Sequence, residues 1–168
     1  MRAALTLMIL ALLLGCKQPI TQANVSGRPP TWDELVTTDG CLVGQQNSID
    51  ALGEGTCLRN PKWQSYISSA TPETIQFLCD RLSSTQETSV HTCPFQSATE
   101  GELALYTLQH ITKKLWRDYS GDNEALRDFI DTDDLPEDQS ATMIEQSLIW
   151  NMLKNPSFVA SMQAYFVQ

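Results

Sequence analysis

Six times along this 168-residue chain a short polar side chain stands where a helix can begin, with proline or an acid one to three places behind it. The sites are Thr31-x-x-Glu34, Asn60-Pro61, Thr71-Pro72-Glu73, Thr99-x-x-Glu102, Asp122 and Asn155-Pro156. The first N–H groups of a helix lack intrahelical acceptors, and a capping oxygen supplies one. Proline at the first helical position loses nothing, because its missing N–H would have been unpaired. Starts spaced this closely demand many short helices.

The apolar spacing between the starts agrees. Trp32 and Leu35 predict a short first helix, and Leu42, Ile49 and Leu52 predict a second over 42–52. Trp63, Tyr66 and Ile67 form the inward side of a third. Ile75, Leu78, Cys79 and Leu82 recur at i, i+3, i+4, i+7 and share one helix face. Residues 83–92 read as a polar loop. The strongest helix is predicted over about 99–118, on Leu105, Leu108, Ile111 and Leu115, widened by Leu103, Ala104 and Tyr106. Further helices follow on Ala125, Leu126, Phe129 and Ile130, then over 139–154, and last on Phe158, Val159, Met162, Tyr165 and Phe166. No segment keeps clean two-residue alternation bounded by hairpin turns. The expectation is an all-α domain over 31–168: an irregular bundle or short helical-hairpin array of about seven short helices. Its succession of helix pairs is loosely similar to small helical proteins of the HEAT type, without a repeat of fixed length.

The N-terminus sets the address. Arg2 precedes residues 3–14, apolar except for Thr6, and then come Leu13-Leu14-Gly15-Cys16. The apolar run is too short for a permanent span, which needs about 20 residues, and suits the core of a secretory signal. The final four residues resemble the lipobox of bacterial lipoprotein precursors. That resemblance covers residues 1–16 and implies a signal peptide over 1–15, cleaved before a lipidated Cys16. Several acyl chains on one residue anchor stably, whereas a single chain binds only marginally. In enteric bacteria an Asp after the lipidated Cys favours the inner membrane; Lys17 implies the outer membrane, facing the periplasm. Residues 16–30, with Pro19, Pro29 and Pro30, read as a flexible tether.

With Cys16 lipidated, Cys41, Cys57, Cys79 and Cys93 remain. An even number in an oxidising compartment predicts two disulfides. Four cysteines allow three pairings; Cys41–Cys57 with Cys79–Cys93 is preferred, because each closes a short loop beside a predicted helix. No close ligand pair of the C-x₂-C kind supports a metal site, and no cofactor motif is present.

Charge narrows the partners. The chain has 11 basic and 20 acidic residues; removing Arg2 with the signal leaves 10 against 20, a net charge near −10. So acidic a protein has no electrostatic reason to hold nucleic acid. Nine of the acids fall within residues 118–138, against the single base Arg127. Asp128, Asp131, Asp133, Asp134, Glu137 and Asp138 are the densest part, and a basic protein partner is the functional reading of that cluster. Calcium of the EF-hand type fails on order: Pro136 stands where that loop wants Gly, and Thr142 where it wants a bidentate Glu.

Catalytic signatures are missing: no G-x-S-x-G, H-E-x-x-H, P-loop or dinucleotide fingerprint. Glu100, Glu102 and His110 are the residues an acid–base enzyme would use, but Glu102 and His110 lie about 12 Å apart along a helix axis, and the capping box already accounts for Glu102. The expectation is a lipid-anchored, periplasm-facing protein-binding module, acting as an inhibitor or immunity protein or in assembly. The alternatives are a periplasmic hydrolase of envelope polymers and a structural lipoprotein without a discrete site.

Overall fold

Thr31 caps its helix on both sides in the computed structural model: Glu34 N–H donates to Thr31 Oγ1 at 3.3 Å, and Thr31 N–H donates to Glu34 Oε2 at 2.7 Å. The structure describes residues 28–42, 59–92, 96–119 and 141–168. This capping box opens α1 (Trp32–Val36), which buries Trp32 and Leu35. Asn60 Oδ1 accepts from Lys62 N–H at 2.9 Å and starts α2 (Pro61–Ser68), burying Trp63 and Tyr66. Thr71 and Thr74 cap each other at the start of α3 (Pro72–Cys79). Asn155 caps the last helix, with Ser157 N–H donating to its Oδ1 at 3.0 Å. The helix starts read from the sequence are therefore present wherever the described residues include them.

The all-α expectation is corrected by a three-stranded sheet in the order β1–β2–β3. Strand β1 (Gly40–Leu42) runs parallel to β2 (Glu87–Thr92), with Gly40 opposite Val90. Strand β3 (Gln96–Thr99) runs antiparallel to β2, with Glu87 opposite Thr99 and His91 opposite Ser97, and an irregularity between those pairs. Residues 83–92 read as a loop because they are polar. Their burial nonetheless alternates: Val90 is buried and Thr88 half-buried, while Glu87, Ser89 and His91 face solvent. That two-residue period and the β-branched Thr88, Val90 and Thr92 suit a strand lying on a core. Leu42 belongs to β1, not to a helix; the rest of the predicted helix over 42–52 lies outside the described residues, as does the one on Ala125, Leu126, Phe129 and Ile130.

Helix α4 (Glu100–Thr112) is the centre of the molecule. It packs against α2, α3, β3, α5 (Ala141–Leu153) and α6 (Pro156–Val167). Every residue from Gly101 to His110 is buried, so the helix has no solvent face. The sequence predicts a one-sided stripe and a longer helix. The end comes early because Lys113 turns left-handed (φ 60°), its N–H donating to Gln109 O at 2.9 Å. A short 3₁₀ turn, Trp116–Asp118, follows and buries Trp116. Burying such a helix all round needs partners for its polar groups. Thr107 Oγ1 donates to Leu103 O at 2.6 Å, and Gln109 Oε1 accepts from Trp116 N–H at 2.8 Å.

Cysteine pairing also needs correcting. Cys79 is a free thiol, fully buried at the end of α3. Loss of solvent around it, and then the negative Asp80, raise its pKa to about 11. The expected Cys79–Cys93 bridge is absent because α3 turns that side chain into the core with Leu78 and Leu82. Cys57 and Cys93 lie outside the described residues, and only the backbone of Cys41 is described, as part of β1. Among the described residues no helix is long and apolar enough to cross a membrane.

Candidate functional site

Glu100, in the first turn of α4, ties three separate segments together. Its Oε1 accepts from Trp32 Nε1 on α1 at 2.7 Å and from Arg81 Nε at 3.0 Å. Its Oε2 accepts from Ser84 Oγ at 2.6 Å. A carboxylate at a helix N-terminus is favoured by the dipole, and three charge-assisted bonds satisfy it. The Arg81–Glu100 pair is partly buried, with side chains 32 % and 15 % exposed, so it holds position better than a surface ion pair.

Two of the donors to Glu100, Trp32 and Arg81, line an open cleft between α1, α2 and α3. The cleft has a volume of about 430 Å³ and is lined by Trp32, Tyr66, Phe77 and Arg81, with Asp33 and Glu73 among its remaining residues. Trp32 is the shared wall: its ring meets Trp63 edge-on at 5.8 Å, Tyr66 at 5.9 Å and Phe77 edge-on at 6.3 Å. Arg81 Cζ sits over the Phe77 ring, 3.4 Å from its centroid, and its Nη1 donates to Phe77 O at 3.4 Å. Set over the ring and hydrogen-bonded at Nε, the guanidinium keeps a fixed orientation.

The cleft carries both signs of charge. Asp33 and Glu73 are exposed. Glu73's carboxyl is held below the ordinary range, first by the Thr71 hydroxyl and then by its own backbone N–H. Burial raises the Tyr66 phenol to about 12, against a smaller lowering by Arg81's charge, so it stays a hydrogen-bond donor at neutral pH. The Arg81 charge is balanced by Glu100, leaving the two exposed carboxylates to set the net sign of the opening.

Glu102, expected to complete a capping box, is elsewhere. Thr99 Oγ1 does accept from Glu102 N–H at 3.2 Å. The Glu102 carboxylate, with the residue fully buried, turns the other way: Oε2 accepts from Trp150 Nε1 at 2.8 Å and Gln146 Nε2 at 3.1 Å, both on α5. It works as a clamp between α4 and α5. His110 is buried further along α4, on the helix that separates it from the Glu100 hub. The three residues considered for acid–base work thus have separate surroundings: Glu100 bonded to Trp32 and Arg81 of the cleft, Glu102 against α5, His110 near the far end of α4. His91 is exposed on β2.

Among the described residues no group of three or more His, Cys, Asp or Glu side chains could hold a metal ion. The acidic candidates Asp128, Asp131, Asp133, Asp134, Glu137 and Asp138, and the lipidation candidate Cys16, lie outside the described residues. A second, smaller cavity of about 180 Å³ lies between the turn after α3 and α5, where Ser83, Ser84, Thr85 and Thr99 face Trp150 and Lys154.

Sequence reasoning missed the cleft. One signal was present: Phe77 is out of phase with the stripe of Ile75, Leu78, Cys79 and Leu82 on its own helix, and Arg81 follows it by four residues, the spacing at which helical side chains meet. No family model, no curated protein and no solved structure matches the chain.

Proposed function

We propose that this chain is a lipid-anchored protein of the bacterial cell envelope, held at the outer membrane through Cys16, whose helical domain binds another protein on the periplasmic side. The lipobox and the short apolar run before it support the address. The cleft between α1, α2 and α3 supports the binding role, and it is the observation on which that role rests. It is open and aromatic-walled, and Arg81, its one cation among the described residues, is already paired with Glu100. Concave sites with aromatic walls and a few placed polar groups are the usual form of a binding pocket, and Trp, Tyr and Arg are the side chains that anchor interfaces. The cleft follows directly on the tether, since α1 begins two residues after Pro30. The acidic run around Asp131, Asp133 and Asp134 would speed the approach of a basic partner without adding much to its hold. With Cys16 lipidated and Cys79 buried as a thiol, a single chain has cysteines left for one bridge, and Cys41–Cys57 is the pairing proposed.

Capture of partners from envelope extract tests this reading. Three forms are compared: the unaltered chain, Asp33→Asn with Glu73→Gln, and Asp131→Asn with Asp133→Asn and Asp134→Asn. A partner using the cleft is recovered at about a third of its level or less with the first pair of substitutions and is unchanged in high salt with the second set. If every partner survives the cleft substitutions, the cleft is not the binding site.

A further inference from the structure

We propose that the cleft captures the C-terminal end of a partner polypeptide, its free carboxylate on Arg81 and Tyr66 and a basic side chain near that end against Asp33 and Glu73. This deepens, and rests on, the reading of the cleft as the partner-binding site.

Donors come first. Arg81 uses Nε on Glu100 and Nη1 on the Phe77 carbonyl, and its Nη2 makes no hydrogen bond among the described residues. The Tyr66 hydroxyl likewise makes none among them. Both residues line the cleft. A guanidinium and a phenol O–H lining one cleft, the first close enough for its charge to act on the second, can together receive an anionic oxygen, because charge-assisted bonds are about twice as strong as neutral ones. The Phe77 contact and the Glu100 bond hold the guanidinium in place before any ligand arrives, so little side-chain freedom is lost on binding.

Rim charge then selects the ligand. Asp33 and Glu73 repel a simple anion such as phosphate or an acidic side chain. The occupant must carry a cation close to its carboxylate. A polypeptide ending in Lys or Arg, or with one just before its last residue, has both groups within one or two residues. Size agrees: about 430 Å³ sits near the lower end of ligand pockets, about 300–1,000 Å³, and admits a chain end but no folded surface.

The test uses the full chain labelled with nitrogen-15, watching the Trp32 Nε1 and Arg81 Nε signals. The probes are acetyl-Ala-Ala-Lys as the free acid, the same tripeptide as its amide, acetyl-Ala-Ala-Gln as the free acid, and lysine alone. The Lys acid is expected to bind with a Kd of about 1 mM, a modest affinity suited to so small a ligand. Amidation weakens binding by about tenfold or more, and Lys-to-Gln exchange by about threefold. Removing Arg81 would strand Glu100, so Tyr66→Phe is the protein-side variant: it weakens the acid by about threefold to tenfold and leaves the amide unchanged. Equal binding of acid and amide overturns the inference, as does no movement of either signal at about ten times the expected Kd, or tighter binding of lysine than of the tripeptide. If acid and amide bind equally and Asp33→Asn with Glu73→Gln removes both, the carboxylate assignment falls and the cleft reading stands. If no probe moves the signals and captured partners also survive those substitutions, both fall.

Discussion

Gly101→Ala should destabilise this protein although alanine is the better helix former. Gly101 sits in the first turn of α4, its N–H donating to Ser84 O at 3.1 Å. A Cβ there would lie 2.4 Å from Leu82 O and 2.8 Å from Ser84 O, inside the 3.0 Å that Cβ atoms essentially never breach. Both obstacles are backbone, in the turn that carries Arg81 and Ser84 to Glu100, so neither can swing aside like a side-chain tip. Forcing extra volume into such a contact costs about 1–3 kcal/mol. The gain in helix propensity returns roughly 0.5–1 kcal/mol. The net loss, taken near the middle of those ranges, is about 1–2 kcal/mol, and a domain this size loses roughly 2–4 °C in Tm per kcal/mol, so melting followed by circular dichroism should fall by about 2–8 °C. A variant as stable as the unaltered protein, or more so, would show that the turn after α3 does not approach α4 this closely.

Glu100→Ala leaves the Trp32, Arg81 and Ser84 donors without their acceptor and should cost about 2–3 kcal/mol in urea unfolding followed by tryptophan fluorescence; a loss below about 0.5 kcal/mol would contradict the hub. Cys79 should resist a short iodoacetamide pulse in the folded protein and react in urea, read by mass mapping of its peptide; labelling of the folded chain would refute the buried free thiol. Alkaline pH should weaken the fold through that same thiol. Its pKa is raised from 9.0 to about 11, so the unfolded chain loses the proton first; its contribution is complete below pH 9 and disappears as pH climbs through about 11. The urea midpoint should drop between pH 9.0 and about 11, with Tyr66, raised from 10.0 to about 12, adding to the fall at the upper end, and a midpoint flat across that range would count against the buried thiol. Cys16→Ser should abolish incorporation of labelled palmitate and release the protein from the membrane fraction.

Local chemistry was legible and long-range chemistry was not. Thr31, Asn60, Thr71 and Asn155 announce their helices because a cap needs only its next few residues. Phe158, Val159, Met162 and Phe166 were readable as one buried face for the same reason. Glu102 marks where this fails. Its position three after Thr99 satisfies the capping pattern, but its carboxylate turns to Trp150 and Gln146, more than forty residues away. Strand β2 is hidden in the sequence because its residues are mostly polar and its parallel partner β1 lies far off, Gly40 standing opposite Val90, although its antiparallel partner β3 is close by. Counting cysteines predicts a bridge for Cys79, whereas burial with Leu78 and Leu82 keeps it a thiol.

The order of residues alone determined where helices start, which faces are apolar, how acidic the chain is, and which export signal it resembles, because each depends on a few neighbouring side chains. Only the tertiary structure decided that α4 would be buried on every side, that Glu100 would gather Trp32, Arg81 and Ser84, and that three helices would leave a charged aromatic cleft between them. These features join side chains up to 68 positions apart. Their energies come from desolvation and exact placement in three dimensions, which no stretch of sequence contains.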